Sequence, residues 1–211
     1  MSPTATATTA APSREEQLAA QREAWEKIAE LGKRARRDRG PAIAELEAMF
    51  RSGRPSEGIE GPTEGRLVTF TVHPRFDNAV AALAGRWMPW AGKRFDSGAG
   101  RGDNLLARSA RAPARVLWPL YGMKDADRKL AAFDFNTWTE RGAVDPDIDV
   151  LVIDYASVDS NPRLVIKSIR DELVEVAPGA HLGKMLWRQG SGEKARHTLL
   201  AFFALKSELP A

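Results

Sequence analysis

The last forty residues of the chain constrain its fold more than any other stretch, because they read as three strands in close succession. The segments Asp171–Ala177, His181–Arg188 and His197–Leu205 are separated by the turn Pro178-Gly179 and by the polar loop Gln189–Glu193. A Pro-Gly turn and a short glycine-containing loop are typical connections between neighbouring antiparallel strands. Strands joined this closely lie side by side as a meander. We therefore expect a sheet or a barrel.

The last of these strands is apolar on both faces. Leu199, Ala201 and Phe203 alternate with Leu200 and Phe202, and alternate side chains of a strand point to opposite faces. One face can contribute to a barrel interior, but the other also needs a cover. We expect a helical segment before residue 52 to provide it, with a short helix at 163–169 as the alternative.

Further strands are predicted upstream from β-branched and aromatic alternation. They are Arg66–His73, the short Asn104–Ser109, Arg115–Tyr121, Lys129–Thr139 and Asp149–Tyr155. The segment Phe76–Leu83 remains ambiguous between helix and strand, and 97–103 reads as a flexible glycine loop. Eight or nine strands at this length predict a mainly β protein with N-terminal α structure. The predicted fold is an antiparallel up-and-down barrel of about eight strands, preceded by a helical segment.

The chain divides into four predicted regions. Residues 1–13 hold mainly Thr, Ala, Ser and Pro, which predicts a disordered tail. Residues 14–52 form a helical segment, with Ser13 as N-cap and a second helix beginning at Pro41. Residues 53–65 form a glycine- and proline-rich linker, and residues 66–206 form the barrel domain.

The amino-acid composition indicates the compartment of the protein and the classes of partner that it can have. The chain has no Cys, which fits a reducing compartment, so we predict a cytoplasmic protein. Arginine outnumbers lysine by 22 to 9, which predicts a bacterial source. Neither a signal peptide nor an apolar run long enough to span a bilayer is expected. Basic residues outnumber acidic ones by 18 to 11 between positions 33 and 128, but no recognised motif accompanies them. We therefore predict no nucleic-acid partner and no stable membrane insertion.

Four polar residues are candidate acid–base groups: Asp154, Tyr155, Asp171 and His181. The first two end a buried strand, and Asp171 begins another. A carboxyl group beside an apolar cavity can have a raised pKa and exchange protons with a substrate. The ordinary alternative is that Asp171 forms an ion pair with Arg170 or Arg188.

Metal and cofactor sites are not predicted. His181 and His197 open two consecutive antiparallel strands, so they should lie at opposite ends of the pair. The acidic stretch Asp145-Pro-Asp-Ile-Asp149 lacks the glycine and the further ligands of a calcium loop, and a solvated turn is the simpler interpretation.

Aromatic residues are the candidate ligand-binding residues of the predicted barrel. A barrel of about eight strands can hold one small ligand. The candidate ligand-binding residues are Trp87, Trp90, Trp118, Trp138, Trp187 and Tyr155. The alternative is that these rings fill a solid core.

The sequence Gly85-Arg-Trp87 resembles the Gly-x-Trp motif of lipocalin-like, or calycin-type, barrels. In that family the Trp plugs the closed end of the barrel beneath a basic side chain from a late strand, for which Arg188 or Arg196 would serve here. The resemblance covers residues 66–206, although here a strand and a helical region precede the motif. It implies a carrier of small hydrophobic molecules, or an enzyme built in the same cavity.

We therefore expect a barrel that binds a small hydrophobic or amphiphilic, lipid-like molecule, with a basic rim for its anionic end. The alternative is an isomerase or cyclase that uses general acid–base catalysis on an apolar molecule in the same barrel. A third hypothesis is an interaction module, in which residues 14–52 bind a partner or a second copy of the chain.

Overall fold

The computed structural model describes residues 11–71, 89–163, 165–190, 192 and 195–209. The segment Phe76–Leu83, His73 and the Gly85-Arg-Trp87 motif lie outside these ranges. No helix in the described ranges combines the length and the hydropathy required to cross a bilayer.

Two helices form the N-terminal segment, as predicted. Helix α1 spans Arg14–Arg34 and begins at a capping box, in which Ser13 and Glu16 exchange hydrogen bonds. Helix α2 spans Arg39–Arg51. The first helix ends three residues before the predicted position, where a tight turn leads into α2.

Eleven strands follow in the described part of the chain. They are β1 (Arg54–Pro55), β2 (Gly61–Pro62), β3 (Glu64–Phe70), β4 (Trp90–Asp96), β5 (Arg101–Ala107), β6 (Lys124–Ala126), β7 (Lys129–Arg141), β8 (Asp149–Asp154), β9 (Ile169–Ala177), β10 (Ala180–Gln189) and β11 (Arg196–Lys206). Along the sheet the order is β2-β4-β5-β7-β8-β9-β10-β11-β3, and all neighbours are antiparallel. The short strands β1 and β6 pair with β9 and β7.

The two ends of this sheet approach each other and nearly close a barrel. Just before β3, the backbone N–H of Thr63 donates to the Lys93 carbonyl of β4 at 2.8 Å. A Cβ on Gly92 would lie 2.1 Å from the Thr63 carbonyl oxygen, and φ of Gly92 is +134°. Only glycine tolerates both conditions. The predicted class, a mainly β antiparallel barrel with N-terminal helices, is therefore confirmed.

Apolar side chains form two cores, one on each side of the sheet. The interior core contains Phe135, Leu173 and Phe203 among others. The second core lies between the outer face of the sheet and the helices, where Ile28 of α1 and Phe50 of α2 pack with Phe202 of β11. The prediction that the segment before residue 52 covers the last strand is confirmed.

Three local predictions are wrong. Residues 115–121 were expected to form a strand, but Arg111–Leu117 is a helix, α3. Its alanine and arginine residues favour helix, and proline in the first turn loses no hydrogen bond. The described residues of 163–169 include a 3₁₀ turn, Ile166–Ser168, and the first residue of β9, Ile169, in place of the expected helix. The glycine loop at 97–103 is mostly a 3₁₀ turn followed by the start of β5.

Candidate functional site

The barrel interior contains a cavity of about 140 Å³. Most of its wall is apolar and is contributed by strands on all sides and by the segment after α3. The principal apolar residues of the wall are Leu67, Trp90, Leu106, Trp118, Phe133 and Phe203. A dry apolar cavity of similar size in another protein binds benzene, so the space suits a molecule with a single ring.

Four polar residues also line this cavity: Lys93, Asn104, Tyr155 and Asp171. We call them the polar cluster. Lys93 and Asn104 are paired across β4 and β5, Tyr155 directly follows β8, and Asp171 lies on β9. All four residues are buried, so the sheet brings them together from residues far apart in the sequence.

Lys93 is the centre of the polar cluster. Its Nζ donates to Asp171 Oδ2 at 2.8 Å, to Asn104 Oδ1 at 3.0 Å and to Tyr155 Oη. Tyr155 donates in turn to Asp171 Oδ2 at 2.9 Å. Asp171 Oδ1 is buried and has no hydrogen-bond partner among the described residues. Buried polar atoms are nearly always paired, so this oxygen is an acceptor that still lacks a donor.

Irregularities in two strands position the residues of the polar cluster. The pairing register of β4 shifts between Trp90 and Gly92, and this bulge lets Trp90 and Lys93 both face the cavity although they are three residues apart. In β7, Phe133 has φ of +54° at a second shift in register. Its carbonyl accepts from Asn104 Nδ2 at 3.2 Å, which orients the amide toward Lys93.

Burial changes the proton affinity of the cluster. Removal from water lowers the pKa of Lys93 despite the nearby Asp171 carboxylate, because an ammonium ion is poorly solvated in an apolar interior. The same loss of solvent, with the Asp171 charge, raises the pKa of Tyr155 well above its usual value. Tyr155 therefore remains a protonated donor at neutral pH, and Lys93 gives up its proton more readily than a surface lysine.

The polar cluster includes two of the four predicted acid–base residues, Tyr155 and Asp171. Asp154 instead accepts from the Ser157 backbone N–H at 2.8 Å and from Arg188. It does not line the cavity, since its side chain alternates with that of Tyr155 across the sheet. Asp171 pairs with Lys93 rather than with Arg170 or Arg188.

His181 also lies away from the cavity. Its ring nitrogens are 2.9 Å from Ser56 Oγ and 3.1 Å from Ser207 Oγ. Burial lowers its pKa to about 4, so it is neutral at physiological pH. This arrangement is that of a structural histidine that joins β1 and the C-terminal segment to β10.

The predicted ligand-binding residues fall into four groups. Trp90, Trp118 and Tyr155 line the cavity. Trp187 packs against the interior core without reaching the cavity wall. Trp138 is 40% exposed. It lies on the opposite face of β7 from Phe135, which points into the interior. Trp87 lies outside the described residues.

Lys93 and Asn104 were missed by the sequence reasoning. The available signal was a lysine directly after a glycine in the aromatic stretch WMPWAGKRF. A charged residue between a Trp and a Phe suggests a strand in which one polar side chain points to the same face as the apolar ones. The bulge at Gly92, however, could not be read from periodicity.

A second group of buried charges lies on the outer side of the sheet. Lys184 of β10 contacts Glu47 of α2 at 2.6 Å and pairs with Asp145, which also accepts from Arg51 at 2.7 Å. The acidic stretch at 145–149 is thus partly buried in ion pairs rather than a fully solvated turn. No group of three or more metal-ligating side chains occurs among the residues that the structure describes.

The fold and the cavity define the class of protein: a nearly closed antiparallel barrel, covered by two helices on one side, with a buried charged centre in its interior. Comparisons with protein-family models, with curated proteins and with solved structures found no match.

Proposed function

We propose that this protein binds a small, mostly apolar molecule in the barrel cavity, with one polar group of the ligand against the polar cluster. The observation that carries the proposal is the combination of an apolar wall with an almost fully buried Lys93–Asp171 ion pair at the same cavity. A calycin-type relationship is part of this proposal and rests on the barrel architecture and on the Gly85-Arg-Trp87 sequence.

The energetics of the polar cluster support a binding role. Two charged side chains lose a large amount of solvation free energy when they are buried, and their mutual attraction can fail to offset that loss. The ion pair therefore contributes little net stability. Asp171 Oδ1, which has no hydrogen-bond partner in the described part of the chain, adds to the cost of burial. A ligand with a hydroxyl group would supply the missing donor, and its apolar body would fill the cavity.

Benzyl alcohol is a suitable probe, because it combines one ring with one hydroxyl group. Burying about 200 Å² of aromatic surface contributes about 5 kcal/mol, which corresponds to a Kd on the order of 0.1–1 mM. Isothermal titration calorimetry of the full chain measures this affinity. An affinity far weaker than this range would contradict the proposal.

A matched pair of variants locates the binding. Met185 lines the cavity, and Met49 of α2 is partly buried against the second core. We expect Met185→Trp to fill the cavity and weaken binding at least about tenfold, whereas Met49→Trp keeps wild-type affinity. Equal effects of the two substitutions would mean that the probe binds elsewhere.

A second candidate function is general acid–base catalysis on an apolar molecule, of the isomerase or cyclase type. It is favoured by the convergence of Tyr155 and Asp171 with Lys93 at one cavity. Exchange of the α-protons of cyclohexanone in D₂O, followed by NMR, tests it. Catalysed exchange that is lost in Tyr155→Phe supports the enzyme, and exchange at the uncatalysed rate supports a binding protein.

A further inference from the structure

Two lysines are buried among the described residues, and their surroundings differ. Lys184 lies on the outer side of the sheet between two carboxylates, Glu47 and Asp145. Lys93 faces one carboxylate, Asp171, and lies on the wall of the cavity. The charge of Lys184 is thus more than compensated in a packed layer, whereas Lys93 is next to space that a ligand can enter.

We infer that the ligand is a small carbonyl compound, an aldehyde above all, and that Lys93 holds it covalently as an imine. This inference rests on the proposed binding function and specifies the ligand class. It follows from the position of a primary amine on the wall of an apolar cavity, in contact with both a hydroxyl and a carboxylate that can move protons.

The surroundings of Lys93 favour nucleophilic attack. An amine reacts with a carbonyl carbon only when it is unprotonated, and burial in an apolar pocket is one of the ways in which proteins achieve this. The lowered pKa of Lys93 increases the fraction of neutral amine. Four aromatic rings, including those of Trp90 and Phe203, lie with centroids 5.2–5.7 Å from Nζ and keep bulk water away from it.

The reaction balances without any further reagent. The Lys93 ammonium passes a proton to Asp171, and the free amine attacks the carbonyl carbon as the C=O π electrons move to oxygen. A proton then moves from nitrogen to that oxygen. Asp171 returns its proton to the resulting hydroxyl, the C–O bond breaks and water leaves. The products are a protonated imine and one water molecule, and the net charge is unchanged.

The polar cluster is suited to each stage of this reaction. Tyr155 Oη hydrogen-bonds both Lys93 and Asp171, so it can donate to the oxygen of the carbonyl group and relay the proton. The protonated imine carries the same positive charge as the ammonium that it replaces. Asp171, 2.8 Å from Nζ, therefore remains as its counter-ion, and the buried pair stays neutral overall.

Reductive trapping tests the inference. The full chain is incubated with benzaldehyde and sodium cyanoborohydride, which reduces protonated imines in preference to the free aldehyde, then digested and mapped by mass spectrometry for lysines that carry a benzyl group. Each fall of one unit in an amine pKa raises its neutral fraction about tenfold. We expect Lys93 to be the dominant site of benzylation, because its lowered pKa and its position on the cavity wall both favour it over the exposed lysines.

The matched variants are Lys93→Arg and Lys184→Arg, which keep the positive charge but cannot form an imine. The first should abolish the dominant modification, and the second should leave it in place. Because the peptide map of the wild-type protein identifies the modified lysine directly, the result does not depend on whether either variant folds.

Benzyl alcohol separates this inference from the proposed function, since it has the size of benzaldehyde but no carbonyl group. If benzyl alcohol binds and Lys93 carries no more benzyl than exposed lysines do, the imine is refuted and the binding function stands. If benzyl alcohol does not bind and Lys93 is not modified, both are refuted. Selective benzylation of Lys93 supports both.

Discussion

Replacing Lys93 by Met tests whether the polar cluster contains a genuine buried ion pair. Both side chains are almost fully buried, and Nζ lies 2.8 Å from Asp171 Oδ2. At an effective dielectric constant of about 20, their attraction is about 6 kcal/mol, much of which is offset by the loss of solvation. Removing one partner leaves an uncompensated buried charge, and such changes cost about 3–5 kcal/mol.

The double variant Lys93→Met, Asp171→Leu distinguishes this explanation from a general loss of packing. With both charges gone, apolar side chains fill the space, and buried pairs replaced in this way are often neutral in stability. We therefore expect the double variant to recover most of the free energy of unfolding that Lys93→Met loses.

Equilibrium urea denaturation at pH 7, followed by circular dichroism, measures all four proteins of the cycle. The two single substitutions should each lower the free energy of unfolding by about 3–5 kcal/mol. Because the double variant recovers most of this loss, the coupling energy should approach the sum of the two single losses. If the losses from the two single substitutions simply add in the double variant, the charged pair in the cavity is refuted.

Three further predictions concern the cover and the pH response of the barrel. Phe202→Ala should cost about 3–5 kcal/mol in urea denaturation, because Phe202 is buried under the helices, whereas the fully exposed Leu120 should tolerate Ala within about 0.5 kcal/mol. Deleting residues 1–52 should expose that outer core and give an aggregated or unfolded chain in size-exclusion chromatography; a folded monomer would show that the helices are dispensable. Burial holds the pKa of His181 at about 4 in the fold, against 6.5 as the ordinary value. The stability that neutral His181 contributes is therefore complete above pH 6.5 and is lost as the pH falls toward 4, by up to about 3 kcal/mol. In urea denaturation series at pH 7 and pH 4, His181→Gln should lose less stability than wild type, and equal losses would contradict this.

The architecture was predictable because its signals are local. The turns after Ala177 and Arg188 and the alternation of the last strands specify a meander, and a strand that is apolar on both faces requires a cover. The outer core between α1, α2 and β11 supplies that cover. The cytoplasmic location and any partner of residues 14–52 stay predictions.

The candidate site was predictable only in part. Tyr155 and Asp171 were identified because they end one buried strand and begin the next, which places them near each other in a sheet. Lys93 was missed because its inward direction depends on the bulge at Gly92, and a shift in register between strands leaves no periodic trace. Trp138 was misassigned to the interior, because a large aromatic residue on a strand was expected to be buried.

Binding of a small apolar molecule inside the barrel is the central claim, and a crystal structure of the protein grown with benzyl alcohol tests it most directly. We expect the ring to lie between Trp118 and Phe203 and the hydroxyl group to donate to Asp171 Oδ1. A cavity that stays empty at a saturating concentration of the alcohol, or a ring bound only at the outer surface, would contradict the claim.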